Sequence, residues 1–152
     1  LINTETTSVM VLALSTAAKF TFEPGLSPAV STCTTCFQRP YHVLSAVVGL
    51  TTADEYMTYG PYIHMPVGSY NVEFYLRTPA APNGNLANLD VYDNNSGKLL
   101  GSRLVSGSAM AAGNQWTLVE IPISVTNANN RMEFRVYWYG TANLDIRAIR
   151  VH

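Results

Sequence analysis

Between residues 69 and 77 the side chains change character at every position. Tyr70, Val72, Phe74 and Leu76 form one set, and Asn71, Glu73, Tyr75 and Arg77 form the other. A repeat of two is the repeat of an extended strand with one face buried. A helix, turning every ~3.6 residues, would scatter the same set around its axis. The pattern returns at residues 86–93, with Leu89 and Val91 inward and Asp90 and Tyr92 outward. It returns again at residues 131–139, where Met132, Phe134, Val136 and Trp138 share one phase. Further strands are predicted over residues 98–106, 115–125 and 144–151. Pro122 marks the second of these as an edge strand or a bulged one, because proline has no N–H for a ladder. Turn-forming runs separate the strands: Asp93-Asn94-Asn95-Ser96-Gly97, residues 127–130, and Gly140-Thr141-Ala142-Asn143. No amphipathic helix competes. The expected fold class is all-β, an antiparallel β-sandwich.

The first third reads less clearly. Residues 19–23 suggest a short strand, and residues 24–40 a long loop. Residues 41–50 fit either a strand or a helical turn. Residues 8–18 fit a strand and a helix equally. With no internal repeat and no linker, the expected division is an N-terminal arm or edge strand over residues 1–18 and a single sandwich domain over residues 19–152.

Composition narrows the function. Apolar residues make up 47% of the 152, enough for a real core and incompatible with extensive disorder. Nine basic and ten acidic residues leave a net charge of −1, so a nucleic acid bound by phosphate neutralisation is not expected. The longest apolar stretch, residues 9–18, is shorter than the about 20 residues of a membrane span, and it lacks the basic leader of a signal peptide. The chain starts at Leu1, which suggests a processed form. Cys33 and Cys36 form a single C-x-x-C pair. A local disulfide, two free thiols, half of a metal site and a redox pair all fit that spacing. The Ser/Thr-rich, loop-like flanks favour the disulfide. A loop disulfide, few lysines and abundant Asn and Thr point to an extracellular or secreted protein.

The run Tyr59-Gly60-Pro61-Tyr62-Ile63-His64-Met65-Pro66-Val67-Gly68-Ser69-Tyr70-Asn71-Val72-Glu73-Phe74 resembles the entry to the central strand of jelly-roll carbohydrate-binding modules. The ending, from Phe134-Arg135-Val136 through Gly140 to Leu144-Asp145-Ile146-Arg147-Ala148-Ile149-Arg150-Val151, is similar to their closing strand pair. The resemblance covers roughly residues 55–151. It implies a jelly-roll-like sandwich and a glycan partner. Calcium-containing modules of this kind carry acidic groups on the opening strand and an Asp in the closing strand. Glu23 matches the first, but Arg147 stands at the second position, where a cation opposes a metal that takes about six to eight oxygen ligands. Asp145, in a shifted register, is the remaining candidate beside Glu23 for structural calcium. No other cofactor is expected.

Sugar binding needs aromatic platforms for apolar sugar faces and planar polar groups for hydroxyls. The outward phase offers Tyr75 and Arg77 beside Glu73, together with Arg135, Tyr137 and Tyr139, and with Tyr92 beside Asp90. These are expected to share one outer face. A solvated face crossed by ion pairs such as Glu73 with Arg135 is the competing expectation. Trp116, with Asp93, Asn94, Asn95, Asn114 and Asn143, is expected at one loop-rich edge. Trp138 falls in the core phase. Tyr56, Tyr59, Tyr62 and His64 read as a packed entry loop. No nucleophile motif, metalloprotease motif or phosphate loop occurs, and the adjacent Asp54 and Glu55 do not make a glycosidase pair, so no enzyme is expected. The expected function is a non-catalytic carbohydrate-binding module. The alternative is a self-assembling extracellular or virion subunit, a homo-oligomer exchanging the apolar, nearly uncharged strand within residues 1–18.

Overall fold

A computed structural model describes residues 19–26, 30–79 and 84–152. The expected arm over residues 1–18, and with it the strand-exchange reading, lies outside the described residues. Twelve strands follow one another among the described residues: β1 (Phe20–Phe22), β2 (Ser31–Thr32), β3 (Phe37–Arg39), β4 (Val43–Ala46), β5 (Glu55–Tyr59), β6 (Pro61–Ile63), β7 (Gly68–Arg77), β8 (Asn85–Asp93), β9 (Lys98–Ser106), β10 (Thr117–Val125), β11 (Met132–Trp138) and β12 (Leu144–Val151). They form two antiparallel sheets. The first runs β10-β7-β12-β4-β3, with β1 also paired to β12. The second runs β2-β5-β11-β8-β9, with β6 also paired to β11. The all-β sandwich read from the alternation is the fold. No helix among the described residues is long and apolar enough to cross a membrane.

The core lies between the sheets and is filled by the inward phases already visible in the sequence. Val72, Phe74 and Leu76 of β7 meet Leu89 and Val91 of β8 and Phe134, Val136 and Trp138 of β11, all fully or almost fully buried. Phe22 stacks on Phe134 with ring centroids 5.2 Å apart, tying the two sheets together where β1 joins the edge of β12. The Trp138 indole Nε1 donates to the Ala142 carbonyl at 2.8 Å, so the largest core side chain also fixes the turn into β12. The turn between β8 and β9 is organised by Asp93. Its Oδ1 accepts from the backbone N–H groups of Asn95 and Arg131, and its Oδ2 from the Ser96 hydroxyl. Burial pushes the Asp93 carboxyl up, but these hydrogen bonds outweigh it and hold the group below the usual carboxylate range.

Three local features differ from a plain alternating strand. Residues 24–40, expected as loop, contain β2 and β3. Each is too short to show a period. Residues 41–50 hold no helix beyond a single 3-10 turn at Pro40–His42, and the chain then enters β4. In β12 the pairing with β7 slips by one residue between Ile146 and Ala148, a bulge at Arg147. The slip lets Leu144 and Ile146 on one side, and Ile149 and Val151 on the other, all face the core.

Pro122 sits in β10, which is the edge of the first sheet, opposite Asn71 of β7. The N–H and carbonyl of Asn71 both bond to His152, on the other side of β7. Pro122 therefore occupies a non-hydrogen-bonded pair, and its backbone points to the open edge, where the missing N–H costs the ladder nothing. Two residues earlier, the Glu120 carbonyl points the same way and accepts from Arg103 of β9 at 3.1 Å.

Candidate functional site

The strands distribute the expected site residues differently from the sequence reading. β7 belongs to the first sheet, whereas β8 and β11 belong to the second. Tyr75 and Arg77 therefore lie on the opposite outer face from Tyr92, Arg135, Tyr137 and Tyr139, not on a shared one. Alternation gives the phase of a strand but not its sheet. The expected Glu73–Arg135 ion pair is absent for the same reason: Glu73 contacts His152, and Arg135 pairs with Asp90. The loop residues also divide. Asn114, Trp116 and Asn143 line one depression, while Asp93 organises a turn elsewhere.

That depression is an open groove of about 560 Å³ on the outer face of the first sheet. One wall comes from the turn before β4. Tyr41 and His42 both adopt left-handed backbone, with φ of 64° and 61°, after Pro40. The turn throws the Tyr41 ring outward, leaving it 89% exposed. It is anchored behind by the His42 Nδ1 contact to Glu23 Oε2 at 2.8 Å. It also rests on Gly25, where a Cβ would fall 2.4 Å from the His42 carbonyl oxygen, so no larger residue fits beneath it. The other wall is Trp116, at the entry to β10, with Asn114 beside it in left-handed backbone at φ 59°.

The floor is polar and tightly ordered. The Arg77 guanidinium lies 4.3 Å over the Trp116 ring. The same group donates through Nε and Nη2 to Asp145 Oδ2 at 3.0 and 2.7 Å, and Asp145 Oδ1 accepts from the Ser45 hydroxyl at 2.5 Å. Arg77 and Asp145 are thus a fixed pair holding the indole plane from below. Asn143 accepts from the Val48 N–H at 2.8 Å through Oδ1, which orients its amide with Nδ2 available as donor. Arg147, at the bulge in β12, completes the far side. Tyr75 is on this sheet but outside the groove. The Arg150 guanidinium sits 4.9 Å over its ring and covers it.

The second sheet carries a different surface. Tyr56, Tyr137 and Tyr139 form an edge-to-face row, with centroids 5.2 and 5.3 Å apart. Arg135 spans Tyr56 at 5.0 Å and Tyr92 at 4.2 Å, and it is held by Asp90 through two hydrogen bonds of 2.7 and 3.0 Å. Burial would lower the Arg135 pKa, but the Asp90 carboxylate more than offsets this and raises it, so the guanidinium stays charged. Desolvation, reinforced by the negative charge of Asp54, raises the Tyr137 phenol. It remains a neutral hydrogen-bond donor in any ordinary buffer. Cys33 and Cys36 are joined as a disulfide at the rim of a shallow depression of about 420 Å³ that Tyr56, Tyr59 and Tyr137 also line.

The calcium expectation does not fit these partners. Glu23 is engaged by His42, and both oxygens of Asp145 are engaged by Arg77 and Ser45. Among the described residues no group of three or more His, Cys, Asp or Glu side chains converges. The sequence reading missed Tyr41 altogether. The available signal was an aromatic residue directly after Pro40 in a non-alternating segment.

No family model matches the sequence. No curated protein matches it either. Several solved structures share its fold. A carbohydrate-binding module from Cellvibrio mixtus lichenase 5A, in complex with cellotriose, superposes with a TM-score of 0.54 at 12% identity, over 90% of this chain and 98% of that one. The ligand-free BiXyn10A CBM1 gives 0.51 at 11% identity, over 90% and 92%. The arabinose-bound MgGH51 α-L-arabinofuranosidase gives 0.50 at 13% identity, over 82% of this chain, which spans only 23% of that enzyme. At these identities the likeness is one of architecture: the chain shares the β-sandwich fold of these carbohydrate-binding modules.

Proposed function

We propose that this domain is a non-catalytic glycan-binding module of a secreted protein, and that the groove between Tyr41 and Trp116 holds the sugar. One observation carries the reading. Two aromatic side chains wall a single groove whose floor presents oriented planar polar groups from Arg77, Asn143 and Asp145. Tyr41 offers its ring face to an apolar sugar face, and Asn143 Nδ2 offers a hydrogen bond to a hydroxyl. The groove falls within the range of about 300–1,000 Å³ usual for small-ligand sites. The fold shared with modules such as the cellotriose-bound one agrees with this reading.

Isothermal titration against a panel of oligosaccharides tests it. Tyr41→Ala and Trp116→Ala are each expected to weaken binding roughly tenfold, in line with about 1.5 kcal/mol for a stacked aromatic contact. Unchanged affinity in both variants would remove the groove from consideration.

The tyrosine row of the second sheet supports a second contact surface. Its favouring feature is that Arg135 and Asp90 lock the rings of Tyr56 and Tyr92 on a surface that already has Tyr137 and Tyr139 in line. Retention on an insoluble polysaccharide is expected to fall several-fold in Tyr137→Ala, while titration with short soluble oligosaccharides stays as in the parent. Equal retention would limit glycan contact to the groove.

A further inference from the structure

We infer that the groove selects a sugar bearing an anionic substituent, a carboxylate or a sulfate ester. The inference rests on the reading of the groove as a glycan site and adds the class of glycan it takes. The chain as a whole has a net charge of −1. The groove does not share that balance. Arg39, Arg77 and Arg147 all line it, and Asp145 is the one carboxylate among the groove's lining residues. Asp145 is already committed to Arg77 through two hydrogen bonds and a 2.7 Å ion pair. Arg39 contacts only the Phe37 ring, at 5.0 Å, and Arg147 has no ion pair or hydrogen bond among the described residues. Two guanidinium groups therefore line the groove with no counter-charge among the described residues.

Elsewhere in the described residues, Arg135 is held by Asp90 and Arg103 bonds the Glu120 carbonyl, while Arg131 and Arg150, like Arg39, lie over aromatic rings, each on its own rather than beside a second arginine in one groove. The guanidinium groups of Arg39 and Arg147 share this groove with the exposed ring of Tyr41. Arg147 continues the outward phase of Asp145, and the bulge after Ile146 returns Ile149 and Val151 to the core. A planar fork of donors matches a carboxylate or sulfate in a two-point hydrogen bond. With the ring of an acidic sugar against Tyr41, its substituent reaches this cationic side. A neutral sugar leaves both guanidinium groups to water.

The test uses three probes on the intact domain: a tri-uronate oligosaccharide, its carboxyl-reduced neutral counterpart, and a sulfated oligosaccharide of similar length. The expected result is that at least one anionic probe binds about tenfold or more tightly than the neutral one at low ionic strength, with the advantage shrinking as salt is added. Which of the two anionic probes is preferred identifies the substituent. Arg147→Gln and Arg39→Gln are expected to erase the advantage of the anionic probe over the neutral one, with an unchanged circular dichroism spectrum showing that each variant is folded. Lys98→Gln, at the β8–β9 turn, is expected to leave the preference intact. Equal affinity for all three probes overturns the anionic preference and leaves the glycan site standing. No binding of any probe overturns the glycan site itself, and the preference with it.

Discussion

Trp138→Ala is expected to lower the unfolding free energy by about 3–5 kcal/mol, the range for deleting a large buried aromatic side chain. Trp138 is 1% exposed and stands in the inward phase of β11 between the two sheets. Removing the indole leaves a void that backbone fixed by ladder bonds on both sides fills only in part. It also deprives the Ala142 carbonyl of its 2.8 Å partner. The loss reaches the groove, because Ala142 precedes Asn143, whose side chain anchors Val48. Urea denaturation followed by tryptophan-independent circular dichroism measures the first effect, and oligosaccharide titration the second. A loss below about 1 kcal/mol would mean that the core relaxes around the gap, contrary to the close packing of the two inner faces.

The second large effect is expected on the opposite face. Asp90→Ala strands Arg135, whose side chain keeps only 18% of its exposure, against 6% for Asp90. An unpaired charge held that far out of water costs about 3 kcal/mol, at the lower end of the range for buried pairs because some solvent still reaches the guanidinium. Desolvation explains the cost better than the lost attraction does, and the two accounts separate cleanly. The double variant Asp90→Leu with Arg135→Met is expected to recover most of the stability, since nothing charged remains to be solvated. If the double variant is as unstable as Asp90→Ala, the pair contributes real attraction rather than mutual neutralisation.

The strands from residue 68 onward were legible because each is long enough to show its period: β7 has ten residues, and β8, β9 and β10 have nine each. The first third was legible only at residues 19–23, where β1 lies, for a physical reason. β2 has two residues, β3 has three, and β4 is buried at all four positions, so none of these displays an alternation. Within the site, Arg77 and Trp116 were visible as an outward arginine and an aromatic at a strand entry. Their partner Tyr41 was not, because a left-handed turn gives no hydropathy pattern. The merging of two faces into one came from reading phase without sheet membership. Arg147 shows the limit most sharply. Counting by twos from Ile149 turns it into the core, and a single extra residue in β12 reverses that.

The proline at the centre of β10 has a consequence for the molecule among its neighbours. An incoming strand needs a row of donors and acceptors to dock against. Here one donor does not exist, and a nearby acceptor is already taken by Arg103. The border of that sheet is thus a poor template for lateral growth, and a second copy meeting it edge to edge finds an interrupted ladder rather than a continuous one.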